Sequence, residues 1–180
     1  PRAVAAWPAV ADLVSEDLRG LGQRDLAHAK NDDWIAVGDI QTRRLDLAKT
    51  TADKVAIYAE MAQLAENRRQ SVDDAITAWY SAMEIDSVSQ GAYDELERLL
   101  GVSSRWHDLV ELLERRAELY GTLGDNHAEI QTLARAADVW EAKLDNPDAA
   151  GEILEKILAR EPGSVAALTR LSNIYDRTGD

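Results

Sequence analysis

The chain has 180 residues, 46% of them hydrophobic, and 33 acidic against 20 basic side chains leave a net charge of −13. That is enough apolar material for a core, while the polyanionic balance disfavours nucleic-acid phosphates and anionic membrane surfaces and favours Lys/Arg-bearing protein segments. The lack of cysteine excludes a disulfide framework and thiolate metal sites, and no apolar run approaches the roughly 20 residues of a membrane span. A cysteine-free chain suits the cytoplasm and allows the periplasm. Pro1, with no preceding Met, reads as the start of an excised or processed segment.

Nearly every segment has the apolar spacing of an amphipathic helix, and no alternating strand pattern occurs. The spacing predicts helices over 8–19, 22–31, 33–49, 52–69, 72–86, 88–101, 105–120, 125–144, 147–160 and 163–178. Together they make about five antiparallel pairs. Residues 1–32 are the least regular: Gly20-Leu21-Gly22 breaks the pattern, and Trp7 beside Pro8 reads as exposed. Asp25 and His28, three apart, have a spacing that can begin a metal site, but the better reading is a solvated helix face. Trp34, Val37, Ile40 and Leu47 then form an apolar stripe behind the capping residue Asp33. Tyr58, Met61, Leu64 and Ala65 form another, and Ser71 with Asp74 resembles a capping box. Trp106, Leu109, Leu112, Leu113 and Tyr120 follow, with Ser104 close to the helix start. Gly101, Gly121 and Gly124 mark breaks. Asn146-Pro147 starts a helix, Pro162-Gly163 stops one, and Leu168, Leu171, Ile174 and Tyr175 form the last stripe.

The sequence also repeats. Trp34 and Trp106 lie 72 positions apart, as do Arg43-Arg44 and Arg115-Arg116. After a three-residue insertion the register becomes 75, pairing Glu66 with Glu141, Ala75 with Ala150, Ala92 with Ala167 and Leu96 with Leu171. Such a period marks a stacked repeat array. It divides the chain into 1–32, 33–105 and 106–180, with the array expected to continue beyond 180.

Little in the sequence suggests catalysis. His28, His107 and His127 form no His-Glu-x-x-His pattern, Gly20-x-Gly22 is no dinucleotide loop, and there is no Gly-Lys-Ser/Thr phosphate loop. No metal or cofactor is expected. The Arg43-Arg44, Arg68-Arg69 and Arg115-Arg116 pairs have two readings. One is an anion clamp. The favoured one is intrahelical pairing of Asp39 with Arg43 and of Glu111 with Arg115. Trp34, Trp79, Trp106 and Trp140 all lie on apolar stripes and read as core.

Residues 147–180 resemble the second helix of one tetratricopeptide repeat and the first helix of the next. Ala150, Leu154 and Ile157 sit at that motif's small, aromatic and small positions, and Pro162 at its terminal proline. Leu168, Leu171, Ser172, Tyr175 and Gly179 sit where it has Trp, Leu, Gly, Tyr and Gly. Ala75, Trp79 and Ala82 follow the same frame, with Ser87 in place of the proline. The resemblance covers roughly 33–180, although the usual Trp and Gly of the first helix are mostly replaced. It implies an all-α fold, a right-handed α-solenoid of about ten helices in antiparallel pairs. The first helix of each pair would line a concave face. That frame places Gln63, Glu66, Asp94, Arg98, Asp138, Glu141, Thr169, Asn173 and Asp176 on it, five of them acidic and one basic. The function expected from it is a non-catalytic scaffold holding a peptide or helix of another protein, with a basic segment as ligand. A spacer segment of a longer solenoid is the alternative, and an all-helical enzyme or metal-binding bundle a more distant one. Leu168, Leu171 and Tyr175 are also expected to leave an open patch for self-association.

Overall fold

The computed structural model of the chain describes residues 18–178, so Trp7 and the helix expected over 8–19 fall almost wholly outside the described residues. Among those residues the protein is all-helical. The chain divides into two compact units between Ala92 and Tyr93. The first holds α1 (Leu18–Ala29), α2 (Trp34–Leu47), α3 (Thr51–Leu64) and α4 (Val72–Ile85), with a π-helical turn, Ala65–Arg69, extending α3. The division falls within α5 (Gln90–Val102). The second unit continues with α6 (Trp106–Leu123), α7 (Asn126–Ala142), α8 (Pro147–Arg160) and α9 (Val165–Thr178). In the first unit α1 packs on α2, α2 on α3 and α3 on α4; in the second α6 packs on α7, α7 on α8 and α8 on α9.

The helix starts follow the side chains that can cap them. Ser71 Oγ accepts from the Asp74 N–H at 3.3 Å, and Asn146 Oδ1 accepts from the Ala149 N–H at 3.1 Å. Asp33, Thr50 and Asp125 act in the same way at α2, α3 and α7. Each satisfies one of the donors left orphaned at a helix N-terminus. Ser104 does not cap α6. It has φ +57° in the preceding turn, and Arg105 stands at the cap, where its side chain caps no backbone N–H but Nε donates to Asp108 Oδ2 in the first turn of α6 at 2.5 Å.

The period is visible in the backbone. The four non-glycine residues with positive φ are Asp32, Gln70, Ser104 and Asp145 among the described residues. Asp32 and Ser104 are 72 apart, Gln70 and Asp145 are 75 apart. The turn bonds match too: Asp33 N–H to His28 O corresponds to Arg105 N–H to Leu100 O, and Ser71 N–H to Ala65 O corresponds to Asn146 N–H to Trp140 O. The three-residue insertion is accommodated by helix length, since α2 has 14 residues and α6 has 18. Gly121 therefore lies inside α6, and the break falls at Gly124, whose φ of +76° suits a left-handed helix end. Gly20 and Gly22 likewise lie within α1, which begins 72 residues before α5.

Small side chains sit where helices meet. Ala62, Ala75 and Ala82 are fully buried in the first unit, as are Ala136, Ala137 and Ala150 in the second. Leu99, Leu100, Val110 and Leu113 fill the second core, and Ile57, Ile76 and Met83 the first. Trp79 is buried, but Trp34, Trp106 and Trp140 are only half-buried, contrary to the core expected of all four. Their polar surroundings explain the difference. Arg69 lies over the Trp34 ring at 5.9 Å, and Lys143 over the Trp106 ring at 5.2 Å. His107 meets Trp140 edge-on at 5.6 Å. The Trp34 and Trp106 rings thus each meet a cationic side chain, a contact available to a ring that is not sealed in the core.

Candidate binding clefts

Each unit builds a polar cleft around one buried arginine. In the first unit this is Arg44, on the face of α2 that also buries Val37, Ile40 and Gln41. A guanidinium carried into a core needs anionic partners from neighbouring elements. Arg44 Nη1 donates to Asp25 Oδ2 of α1 at 3.2 Å, and Nη2 donates to Glu60 Oε2 of α3 at 2.5 Å. Gln41 Nε2 adds a bond to the same Asp25 oxygen at 3.4 Å. The Arg44 and Asp25 side chains are each 6% exposed, whereas Glu60 is 57% exposed. Asp25 Oδ1 and Arg44 Nε have no hydrogen-bond partner. Burial raises the Asp25 pKa, and the bonds from Gln41 and Arg44 offset only part of that rise.

Above this pair lies a cleft of about 700 Å³. Gly22, Gln23 and Leu26 of α1 form one wall, and Asp53, Ala56, Ile57, Glu60, Gln63 and Leu64 of α3 the other; Asn67 and Arg68 of the π turn close the end. A Cβ on Gly22 would lie 3.4 Å from Arg44 Nη2, so α1 passes close over the guanidinium there.

The second unit repeats the plan. Arg116 Nη2 donates to Asp94 Oδ1 at 2.7 Å and Nη1 to Glu97 Oε2 at 3.3 Å, while Nε donates to Tyr120 Oη at 3.2 Å. Arg135 also pairs with Glu97, and Tyr93 and Tyr120 flank the Arg116 guanidinium at 5.5 and 5.8 Å. Burial would lower the Arg116 pKa, but the bonds to Asp94 and Tyr120 outweigh it and hold it raised. Position for position, Gly22, Asp25, Leu26, Arg44 and Glu60 correspond to Asp94, Glu97, Arg98, Arg116 and Arg135. The longer charged side chains narrow the second cleft to about 340 Å³. One acid at the centre is thus fully answered in the second unit and incompletely answered in the first.

The residues assigned to a concave face are distributed unevenly. Gln63 is exposed on a wall of the larger cleft. Glu66 is half-exposed in the π turn. Asp94 and Arg98 come together in the smaller cleft, where Arg98 also pairs with Glu95 at 2.8 Å. Asp138 and Glu141 converge on Arg170, at 2.9 and 2.6 Å. Thr169, Asn173 and Asp176 are exposed on α9, with the Thr169 hydroxyl donating to Val165 O at 2.8 Å. Three of the five acids therefore already bind an arginine of this chain.

Sequence reasoning missed the centre of both clefts. Asp25 is 4% exposed rather than on a solvated face, and His28 bonds Asp33 at 3.0 Å. In two of the three arginine doublets the second member is the structural one: Arg44 and Arg116 are buried, while Arg43 and Arg115 are exposed, as are both Arg68 and Arg69. The usable signal was the spacing, since Asp25–Arg44 and Glu97–Arg116 are both 19 apart. Among the described residues there is no cluster of three or more His, Cys, Asp or Glu placed to hold a metal, and no helix is long and apolar enough to cross a membrane.

No family model matches the chain, and no curated protein does. A solved structure similar to it in part is that of BtubC (BKLC) from P. vanneervenii, at 13% identity over 90% of this chain and 73% of that one, with a TM-score of 0.45. A likeness that low assigns no function to this chain.

Proposed function

We propose that the chain is a non-catalytic interaction module of tetratricopeptide-like helix pairs, which binds an extended segment of another protein in the cleft between α1 and α3. The observation that supports this reading most is the 700 Å³ cleft itself, floored by the buried Arg44–Asp25 pair. Its walls mix apolar Leu26, Ile57 and Leu64 with the amides of Gln23, Gln63 and Asn67. Apolar surface with a few placed polar groups is how binding clefts combine affinity with orientation. In the second unit Asp94, Asp138 and Glu141 are occupied by internal arginines, an observation that favours the spacer role for that unit.

The second unit supplies the test. The triple variant Gly22→Asp, Leu26→Arg, Glu60→Arg gives the first cleft the rim of the second. Peptides selected from a random display library on the wild-type chain should lose binding to this variant, while its circular dichroism stays helical. Selected peptides that bind both chains alike, or a library that yields no binder, would overturn the proposal.

A further inference from the structure

We infer that the α1–α3 cleft receives a cationic side chain, a lysine or arginine of the bound segment, with its aliphatic stem along α3 and its charged head at Asp25 and Glu60. The inference rests on the interaction-module reading and specifies what anchors the segment.

Three observations carry it. The first is charge: Asp25, Asp53 and Glu60 line the cleft against Arg44 and Arg68. Arg44 is shared between two of those carboxylates, so the floor holds one positive and two negative groups. The second is the orphaned acceptor. Asp25 is 4% exposed and lines the cleft, its Oδ2 takes both available donors, and Oδ1 has none. A buried carboxylate oxygen without a donor is costly, and an ammonium or guanidinium is the donor that also corrects the charge. The third is the wall. Ala56 and Leu64 present aliphatic surface along α3, beside the buried Ile57, where the methylenes of a long basic side chain can lie while its head reaches polar groups. The second unit has already filled the corresponding place from within: Arg135, the counterpart of Glu60, pairs with Glu97, the counterpart of Asp25. The inferred ligand supplies to the first unit, from outside, the cation that Arg135 supplies to the second.

The experiment is an amide NMR titration of the full chain with five small probes, the Nα-acetyl methylamides of lysine, arginine, glutamine, norleucine and glutamate. Lysine and arginine probes should shift Gln23, Ala56, Ile57 and Asn67. They should bind about tenfold more tightly than glutamine or norleucine, the scale of one partly screened ion pair. Added salt should weaken them. Asp25→Asn and the more exposed Glu60→Gln should each abolish the preference, so the result does not depend on one variant folding. Equal binding of glutamine or norleucine, a preference for glutamate, shifts outside the cleft, or no shifts at all would overturn the inference. If that happens while display-selected peptides still fail on the triple variant, the cleft remains a binding site and only the ligand class is wrong. If the peptides are also indifferent to the variant, both readings fall.

Discussion

Replacing Arg44 with methionine tests the account of the buried pair, because the structure predicts different costs for the two equivalent arginines. In the first unit the change leaves Asp25, 6% exposed at its side chain, with Gln41 as its remaining donor. Glu60, at 57% exposed, returns to water. Stranding one buried charge costs about 3–5 kcal/mol. In the second unit Arg116→Met strands less. Asp94 is 65% exposed, and Glu97 keeps Arg135. Losing charge-assisted bonds to such partners costs about 1–3 kcal/mol. Urea denaturation followed by circular dichroism should therefore place Arg44→Met below Arg116→Met by about 2 kcal/mol, the difference between the midpoints of the two ranges. Adding Asp25→Leu should recover most of the Arg44→Met loss, since an apolar pair of similar volume is often as stable as the ion pair. The pH dependence has a definite sign. The folded-state pKa of Asp25 is raised by burial, so the native state holds that proton where the unfolded chain has released it. Stability then falls as pH rises from the ordinary Asp value of about 3.9 through the raised folded value, and is flat above it. Without Arg44 that window extends further upward, so the Arg44→Met penalty should be smaller near pH 4 than near pH 7. Equal penalties for the two arginines, or a penalty independent of pH, would refute the reasoning.

Trp79→Ala should cost about 3–5 kcal/mol, and the half-buried Trp34→Ala and Trp106→Ala distinctly less, about 1–2 kcal/mol each; thermal melts of the three variants give the order. Gly121→Ala should destabilise by about 1–2 kcal/mol despite better helix propensity, because its Cβ would fall 3.0–3.1 Å from the carboxylate of buried Glu129, which bonds Arg160. The same urea titration checks it. Leu168 and Tyr175 are 48% and 41% exposed on α9, so concentration-dependent self-association in light scattering should weaken in Leu168→Glu; a strict monomer at high concentration would remove that expectation.

The helical class was legible because the apolar stripes recur at 3.6-residue spacing in almost every segment, and the period because Trp34/Trp106 and the arginine doublets stand in register. Even the left-handed turn positions obey it, although Asp32 and Ser104 share no side-chain chemistry that would have flagged them. The first helix was harder to read. Gly22 and Leu26 stand where the next unit has Asp94 and Arg98, so the similarity fades where the larger cleft opens. The site itself was hidden for a related reason. Local spacing pairs Asp39 with Arg43 and Glu111 with Arg115, whereas the buried partners come from helices 16 to 22 residues away in sequence. Pairing across helices is set by tertiary packing, which helical periodicity does not report.

The central claim is that a protein segment occupies the cleft between α1 and α3. Hydrogen exchange on the full chain, with and without a display-selected peptide, measures this most directly. The account predicts new protection confined to backbone amides of residues 20–29 and 53–68, absent when the Gly22→Asp, Leu26→Arg, Glu60→Arg variant replaces the wild type. Protection centred on α8 and α9 instead, or unchanged in the variant, would contradict it.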